Sequence, residues 1–139
     1  MRRLVPLVAL VGLLLAACGG NSSTLDSTSW DYFAYDIGGG VVEVLPGTQP
    51  TVTFEGDVVS GSDGCNDFTG SYEISSGNMI EIGPLASTQK ACEADVMAQA
   101  DVILSVIGDA FLYEKTTDSE LFIRTENARF AGYAEHHDE

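Results

Sequence analysis

The sequence predicts an α+β, β-rich domain of about eight strands with one helix at about 93–107. Three observations carry that expectation. A chain of 139 residues accommodates one domain rather than two. Downstream of Leu25, short alternating apolar runs are punctuated by Gly, Pro, Asn and Asp, the pattern of strands and turns. One segment, Cys92 to Ile107, follows a period of three and four residues instead.

Taken in order, Ser29-Trp30-Asp31-Tyr32-Phe33 predicts a first strand, and Gly38-Gly39-Gly40 interrupts the chain before Val41 to Leu45 resumes an extended pattern. Thr51 to Phe54 alternates so that Val52 and Phe54 share a face. Val58-Val59-Ser60 follows the turn signal Gly56-Asp57 and completes a hairpin. Gly61 to Gly70 reads as a tight ordered loop, because its glycines permit positive φ and Asn66 and Asp67 can close side-chain turns. A second hairpin joins Ser71–Ile74 to Met79–Ile82, with Tyr72, Ile74, Ile80 and Ile82 facing inward. The helix presents Val96, Ala100, Ile103, Leu104 and Ile107 on one stripe, carries Glu93 and Asp95 in its first turn, and stops at Gly108. Phe111 to Lys115, Glu120 to Arg124 and Arg129 to Tyr133 supply the last strands, joined by turn formers.

The N-terminus requires a separate reading. Leu4 to Ala17 is an apolar run preceded by Arg2-Arg3; it falls short of the ~20 residues that span a bilayer and has the length of a signal h-region. The run ends in Leu15-Ala16-Ala17-Cys18-Gly19, which resembles a bacterial lipobox. Cleavage would then leave a diacylated Cys18 as the new N-terminus; the alternative is an ordinary secretory signal with a Cys at its cleavage point. Each buried methylene contributes ~0.8 kcal/mol, so two or three acyl chains anchor stably where one is marginal. The expected organisation is a signal peptide at 1–17, a lipid-anchored flexible tether at 18–24, the domain at 25–133 and a disordered acidic tail at 134–139. Gly19 is not the Asp that resembles an inner-membrane retention signal. The expected location is therefore the outer membrane facing the periplasm in a two-membrane host, and otherwise the outer face of the plasma membrane.

The formal charge is 6 − 21 = −15, and it becomes 4 − 21 = −17 once Arg2 and Arg3 leave with the signal. Nucleic-acid binding is driven by Lys and Arg displacing counterions, so no nucleic-acid partner is expected. So acidic a surface is also repelled by anionic lipid, which leaves membrane attachment to Cys18.

The most informative stretch is Val59-Ser60-Gly61-Ser62-Asp63-Gly64-Cys65-Asn66-Asp67-Phe68-Thr69-Gly70-Ser71-Tyr72, followed downstream by Gly83 to Cys92, with Thr88 and Cys92, leading into the helix. A Gly-Cys-Asn loop followed by Gly and Tyr, then Thr-x-x-x-Cys before a lone helix, resembles the META domain of HslJ-type heat-shock lipoproteins. Trp30 and the closing hairpin around Leu121-Phe122-Ile123 fit the same pattern. The resemblance marks Gly64, Cys65, Asn66, Gly70, Tyr72, Thr88 and Cys92 as family motif positions. It implies an antiparallel curved sheet closing into a barrel-like roll, and an envelope setting linked to heat shock, novobiocin resistance or motility without an established catalytic site. The acidity and the histidine-containing tail depart from the family pattern.

With Cys18 acylated, Cys65 and Cys92 remain in a compartment that permits disulfides. A structural bridge between them closes a loop of 92 − 65 = 27 residues and is worth roughly 3.5 kcal/mol in the chain-entropy model. The rival, a redox pair, lacks Cys-x-x-Cys spacing and a neighbouring His or Arg to activate a thiol. Asp63 to Asp67 fails as a calcium loop, since Cys65 occupies a ligand position and Ile74 stands where the bidentate Glu belongs. No metal site and no cofactor are expected. His136 and His137 sit in a terminal Glu-His-His-Asp-Glu, where a positioned general base is not expected. Trp30, Tyr32, Phe33 and Tyr35 suit a half-buried core strand better than a ligand cavity. The reading that follows is a non-catalytic envelope lipoprotein that binds or scaffolds in stress tolerance. Its partners would be the membrane, through Cys18, and an envelope protein or small ligand. The alternative is a small-molecule carrier with an apolar cavity inside the sheet, and an enzyme would need two buried carboxylates facing one cleft.

Overall fold

Strict alternation along the strands places one face of each inside. In Thr51–Glu55, Val52 and Phe54 are fully buried while their neighbours are not, and in Glu120–Thr125 Leu121 and Ile123 are likewise sealed. A side-chain period of two forces this separation once one face packs. The computed structural model describes residues 25–117, 119–127 and 129–135. The expected signal peptide, Cys18, the tether, His136 and His137 lie outside the described residues.

The elements in chain order are β1 (Thr28–Asp36), β2 (Val42–Glu43), β3 (Thr51–Glu55), β4 (Val58–Ser62), β5 (Asp67–Ser75), β6 (Met79–Ile82), β7 (Ala86–Ser87), α1 (Ala94–Gly108), β8 (Ala110–Thr117), β9 (Glu120–Thr125) and β10 (Phe130–Glu135). Every pairing is antiparallel. Eight strands form a closed ring in the order β1, β3, β4, β5, β6, β8, β9, β10, and β10 returns to β1 through the registers Trp30↔Glu135 to Asp36↔Phe130. The two short strands lie off the ring: β2 extends beside the second half of β1, and β7 pairs with Phe68 and Thr69 of β5. This is the expected β-rich barrel with one helix.

Following the strand directions round the ring divides the connections between two ends. The turn at Gly56-Asp57, the 3₁₀ turn Ser76–Asn78 and the β8–β9 turn occupy one, the hairpin end. The other, the helix end, holds 44–50, the β4–β5 turn, 83–93, α1 and the β9–β10 turn. Contacts confirm the grouping, since Gln99 of α1 reaches Leu45 and Thr48, and Arg129 reaches Ser105. Leu25 lies at the hairpin end, fully buried, with its carbonyl accepting from Thr28 Oγ1 at 2.5 Å. The Gly56 N–H donates to Asp26 Oδ1 at 2.7 Å and fixes the same entry.

The core joins inward side chains from opposite walls, among them Trp30, Phe54, Phe68, Tyr72 and Tyr133, to Ile103, Val106 and Ile107 of the helix. Trp30 donates its indole N–H to Thr28 Oγ1 at 2.8 Å, so its polar edge is satisfied while its rings are buried.

Several expected boundaries shift. The helix begins at Ala94, with Glu93 as its N-cap residue, and Gly108 is its last residue rather than a left-handed stop; the backbone N–H of Asp109 closes the end onto Ser105 and Ile107. The loop expected over Gly61 to Gly70 shrinks to four residues, because Asp67 to Gly70 already pair with β4 and β7. β7 itself, two residues between Pro84 and Thr88, carries too little pattern to be read. Ala134 and Glu135, expected in the acidic tail, belong to β10 and help close the ring.

Candidate functional site: the disulfide-stapled loop

Asp63 opens the β4–β5 turn and is its buried centre. Its Oδ1 accepts the backbone N–H of Cys65 at 2.8 Å and of Asn66 at 2.6 Å, while its own N–H donates to the Asn66 carbonyl at 2.9 Å. A short acceptor placed two and three residues before free N–H groups makes this closed turn from a local sequence. Gly64 is required twice over: its φ is +95°, and a Cβ there would stand 3.1 Å from Thr48 Cβ.

The turn is tied to the segment that leads into α1. Asn66 Oδ1 accepts from Thr88 Oγ1 at 3.0 Å and from the Lys90 N–H at 2.6 Å. Asp67 and Thr88 exchange two more bonds, Asp67 N–H to Thr88 Oγ1 at 3.1 Å and Thr88 N–H to the Asp67 carbonyl at 3.0 Å. The Cys65–Cys92 disulfide completes the clasp across a Cα separation of 6.0 Å. The expected bridge is therefore present, and the motif positions Gly64, Cys65, Asn66, Thr88 and Cys92 come together. Gly70 and Tyr72 do not join them. Gly70 lies where Pro84 and Leu85 cross β5, a Cβ there falling 2.8 Å from Leu85 Cδ2. Tyr72 is buried, edge-on to Phe54 at 5.0 Å between ring centroids.

Between this clasp and the helix lies a cleft of about 300 Å³, with Asp63 and Asn66 on one side, Lys90 and Ala91 on another, and Met97 and Leu104 of α1 opposite. Asp63 Oδ2 has no protein partner. Lys90 Nζ stands 3.6 Å from Asp67 Oδ2, an exposed ion pair that contributes little to stability. No group of three or more His, Cys, Asp or Glu among the described residues is arranged to hold a metal ion.

Two features were not legible from the sequence. Gln99 lies buried on the helical stripe, accepts the Leu45 N–H at 2.6 Å and donates to Thr48 Oγ1 at 3.0 Å, holding the 44–50 loop to the helix. A polar residue directly before Ala100 on an apolar face was the available signal. The second is the pair Tyr32 and Tyr133, stacked edge to face at 4.6 Å, both hydroxyls buried without a protein partner. Burial pushes both phenols above the ordinary value, and each has a neighbouring tyrosine that adds to the shift, Tyr35 for Tyr32 and Tyr32 for Tyr133. Trp30 and Tyr32 are core as expected, while Phe33 is exposed and packs edge-on to Phe122 across Gly132 at 6.4 Å.

The META domain family profile matches residues 23–136. A solution structure of a protein from Burkholderia xenovorans superposes with a TM-score of 0.69 at 22% identity, covering 82% of this chain and 85% of that one. A crystal structure of a DUF4847 family protein from Bacteroides vulgatus superposes with a TM-score of 0.59 at 12% identity, over 86% of this chain and 100% of that one. At these identities the two structures show a shared fold. No curated protein matches the chain.

Proposed function

This chain belongs to the META domain family, and from that premise we propose that it is a lipid-anchored envelope protein whose domain binds or scaffolds without catalysis in stress tolerance. The observation that carries the proposal is the polarity of the barrel. The described chain enters at the hairpin end, where Leu25 and Asp26 are pinned, and the disulfide-stapled loop lies with α1 at the other. Cys18 lies seven residues before Leu25 in the sequence. Acylation of Cys18 would therefore hold the hairpin end at the membrane and present the helix end to the surrounding compartment.

A binding role also suits what is displayed there, a loop made rigid by one covalent and several hydrogen-bonded ties, which lowers the entropic cost of recognition. Of the two carboxylates that line the cleft, Asp63 is buried and Asp101 is exposed, whereas the hydrolase reading calls for two buried ones facing each other. The carrier reading loses support because Trp30, Phe54, Val59, Leu121 and Tyr133 fill interior positions from different walls of the barrel.

Two measurements test the proposal. Intact-mass analysis of membrane-extracted protein is expected to find acyl chains on Cys18, and Cys18→Ser is expected to release the domain from the membrane fraction. Crosslinking in intact cells through residues at the helix end is expected to capture an envelope component more strongly than crosslinking through the hairpin end. An unacylated Cys18, or equal capture from both ends, would overturn it.

A further inference from the structure

We propose that the open seam between β6 and β8 takes up a short extended segment of a partner protein, one in which basic and apolar residues alternate. The inference rests on the reading of the domain as a binding module and is independent of its membrane anchorage. It starts from the weakest joint of the ring. β5 and β6 pair from Tyr72↔Ile82 to Ser75↔Met79, and β8 and β9 pair from Ala110↔Thr125 to Thr117↔Glu120. Between these ladders, β6 and β8 share the single pair Met79↔Leu112. The register of β8 on β9 shifts between Ala110 and Leu112, and a bulge of that kind bends its strand. Beyond β6, Gly83 donates its N–H to the Ser71 carbonyl, so the chain follows β5 instead of crossing to β8. Glu81 and Ile82 therefore face Ala110 and Phe111 with no ladder between them. Such facing edges are where an added strand finds main-chain partners.

The seam opens into a groove of about 350 Å³ lined by Glu81, Ile82, Asp109, Ala110, Phe111 and Glu126, a volume in the range of binding clefts. Its surroundings select the charge of the partner. α1 ends here at Gly108 with no basic residue in its last turn, and Asp109 follows it. The carbonyl end of a helix is partially negative and is ordinarily matched by a cation. Glu81 lies directly across from Glu73 of β5, and like charges opposite each other on neighbouring strands are destabilising. Glu81, Asp109 and Glu126 are all exposed, so an incoming cation reaches them. The groove meets a second one at Glu81, which holds Asp57 and Glu73, and no Lys, Arg or His is among the described residues lining either. Side chains of an added strand alternate in direction. One set then meets the carboxylates and the other meets Ile82, Ala110 and Phe111, which calls for basic and apolar residues in turn.

Strand addition and simple charge attraction are separated by the choice of probes. Backbone amide NMR of the full chain in detergent is followed during titration with the end-blocked peptides Lys-Val-Lys-Val-Lys, Lys-Pro-Lys-Pro-Lys and Glu-Val-Glu-Val-Glu. The first is expected to give saturating shifts at Glu81, Ile82, Gly108, Ala110 and Phe111. The proline peptide carries the same charge but lacks main-chain donors for a ladder, and it is expected to bind at least about tenfold more weakly. The acidic peptide is expected not to bind. Equal binding by the proline peptide would reduce the interaction to bulk charge and overturn the assignment. So would shifts that spread over the surface without saturating, or a saturating response to the acidic peptide.

Glu81→Lys gives the groove a like charge and is expected to weaken the Lys-Val peptide at least about tenfold. It also sets opposite charges across from each other at positions 73 and 81, so the midpoint of thermal unfolding should rise, which separates lost binding from a lost fold. Glu126→Lys, in the β9–β10 turn, repeats the test should Glu81→Lys not fold. Glu55→Lys makes the same change in net charge at an exposed position of β3 and is expected to leave the affinity within about twofold. Equal weakening by the groove and β3 variants would overturn the seam as the site, and so would undiminished binding by the groove variants. Failure of the peptide to bind, together with capture of an envelope component at the helix end, would strike the seam and leave the broader binding role standing. Failure of both would remove that role as well.

Discussion

Replacing Cys65 and Cys92 together by Ser removes the covalent tie but leaves much of the native geometry in place. Asn66 still accepts from Thr88 and Lys90, and Asp67 and Thr88 still exchange their two bonds. The folded state therefore loses little, and the effect falls on the unfolded chain, which regains the freedom of a 27-residue loop. In the chain-entropy model that freedom is worth roughly 3.5 kcal/mol at 25 °C. For a domain of this size the midpoint of thermal unfolding should fall by roughly 10–15 °C. Urea unfolding of the oxidised protein, the reduced protein and the double variant measures it. The expected result is a loss of about 3 kcal/mol, with a larger urea dependence because the unlinked chain exposes more surface. A loss below about 1 kcal/mol would refute the entropic argument, as would large shifts in the amides of β5 and α1 in the folded variant.

Three further substitutions report on separate parts of the fold. Gly61→Ala builds a Cβ 2.0 Å from the Thr51 carbonyl oxygen, so β3 and β4 must part; a loss of at least ~3 kcal/mol in chemical denaturation is expected, against a change within ~0.5 kcal/mol for Gly39→Ala. Gln99→Leu strips the Leu45 N–H of its acceptor and should cost about 1–3 kcal/mol, with faster hydrogen exchange confined first to 44–50. Tyr133→Phe should change stability by less than ~1 kcal/mol at neutral pH, because its hydroxyl has no partner to lose. At high pH the sign is fixed by burial. The folded-state pKa values of Tyr32 and Tyr133 lie above the unfolded value of 10, so the stability they support is complete below pH 10 and is lost as pH rises beyond it. Ultraviolet tyrosinate absorbance should therefore show these two ionising only with loss of structure, and ionisation of all five tyrosines in the folded state would contradict it.

The strands with clean alternation were legible because each has one face in the core: Val52 and Phe54, Tyr72 and Ile80, Leu121 and Ile123 are all readable by period alone. Short β2 and β7 were not, since two residues carry no period, and they exist because longer neighbours offer them an edge. The clasp was legible as a motif, and the pairing of its cysteines as arithmetic. Its acceptors were less so. Asp63 and Asn66 look alike as turn formers, yet one folds inward onto its own backbone and the other reaches across to Thr88 and Lys90. That division depends on which side of the turn α1 packs, a tertiary fact that local spacing does not contain. The closing pairs of β1 with β10 were equally hidden, because residues about as far apart as the domain allows share no local signal.

That closure has a consequence for the order of events during synthesis. β1 is made first, and one edge of it stays unpaired until β10, the last strand, has emerged. Through that interval the nascent domain displays an open row of backbone donors and acceptors beside Trp30, Tyr32 and Ala34, the kind of template on which another chain can add a strand. A product truncated before Phe130 never closes it. Its failure would be association through β1 rather than simple unfolding, because closure of the barrel depends on pairing strands about a hundred residues apart, the kind of non-local contact that forms slowly.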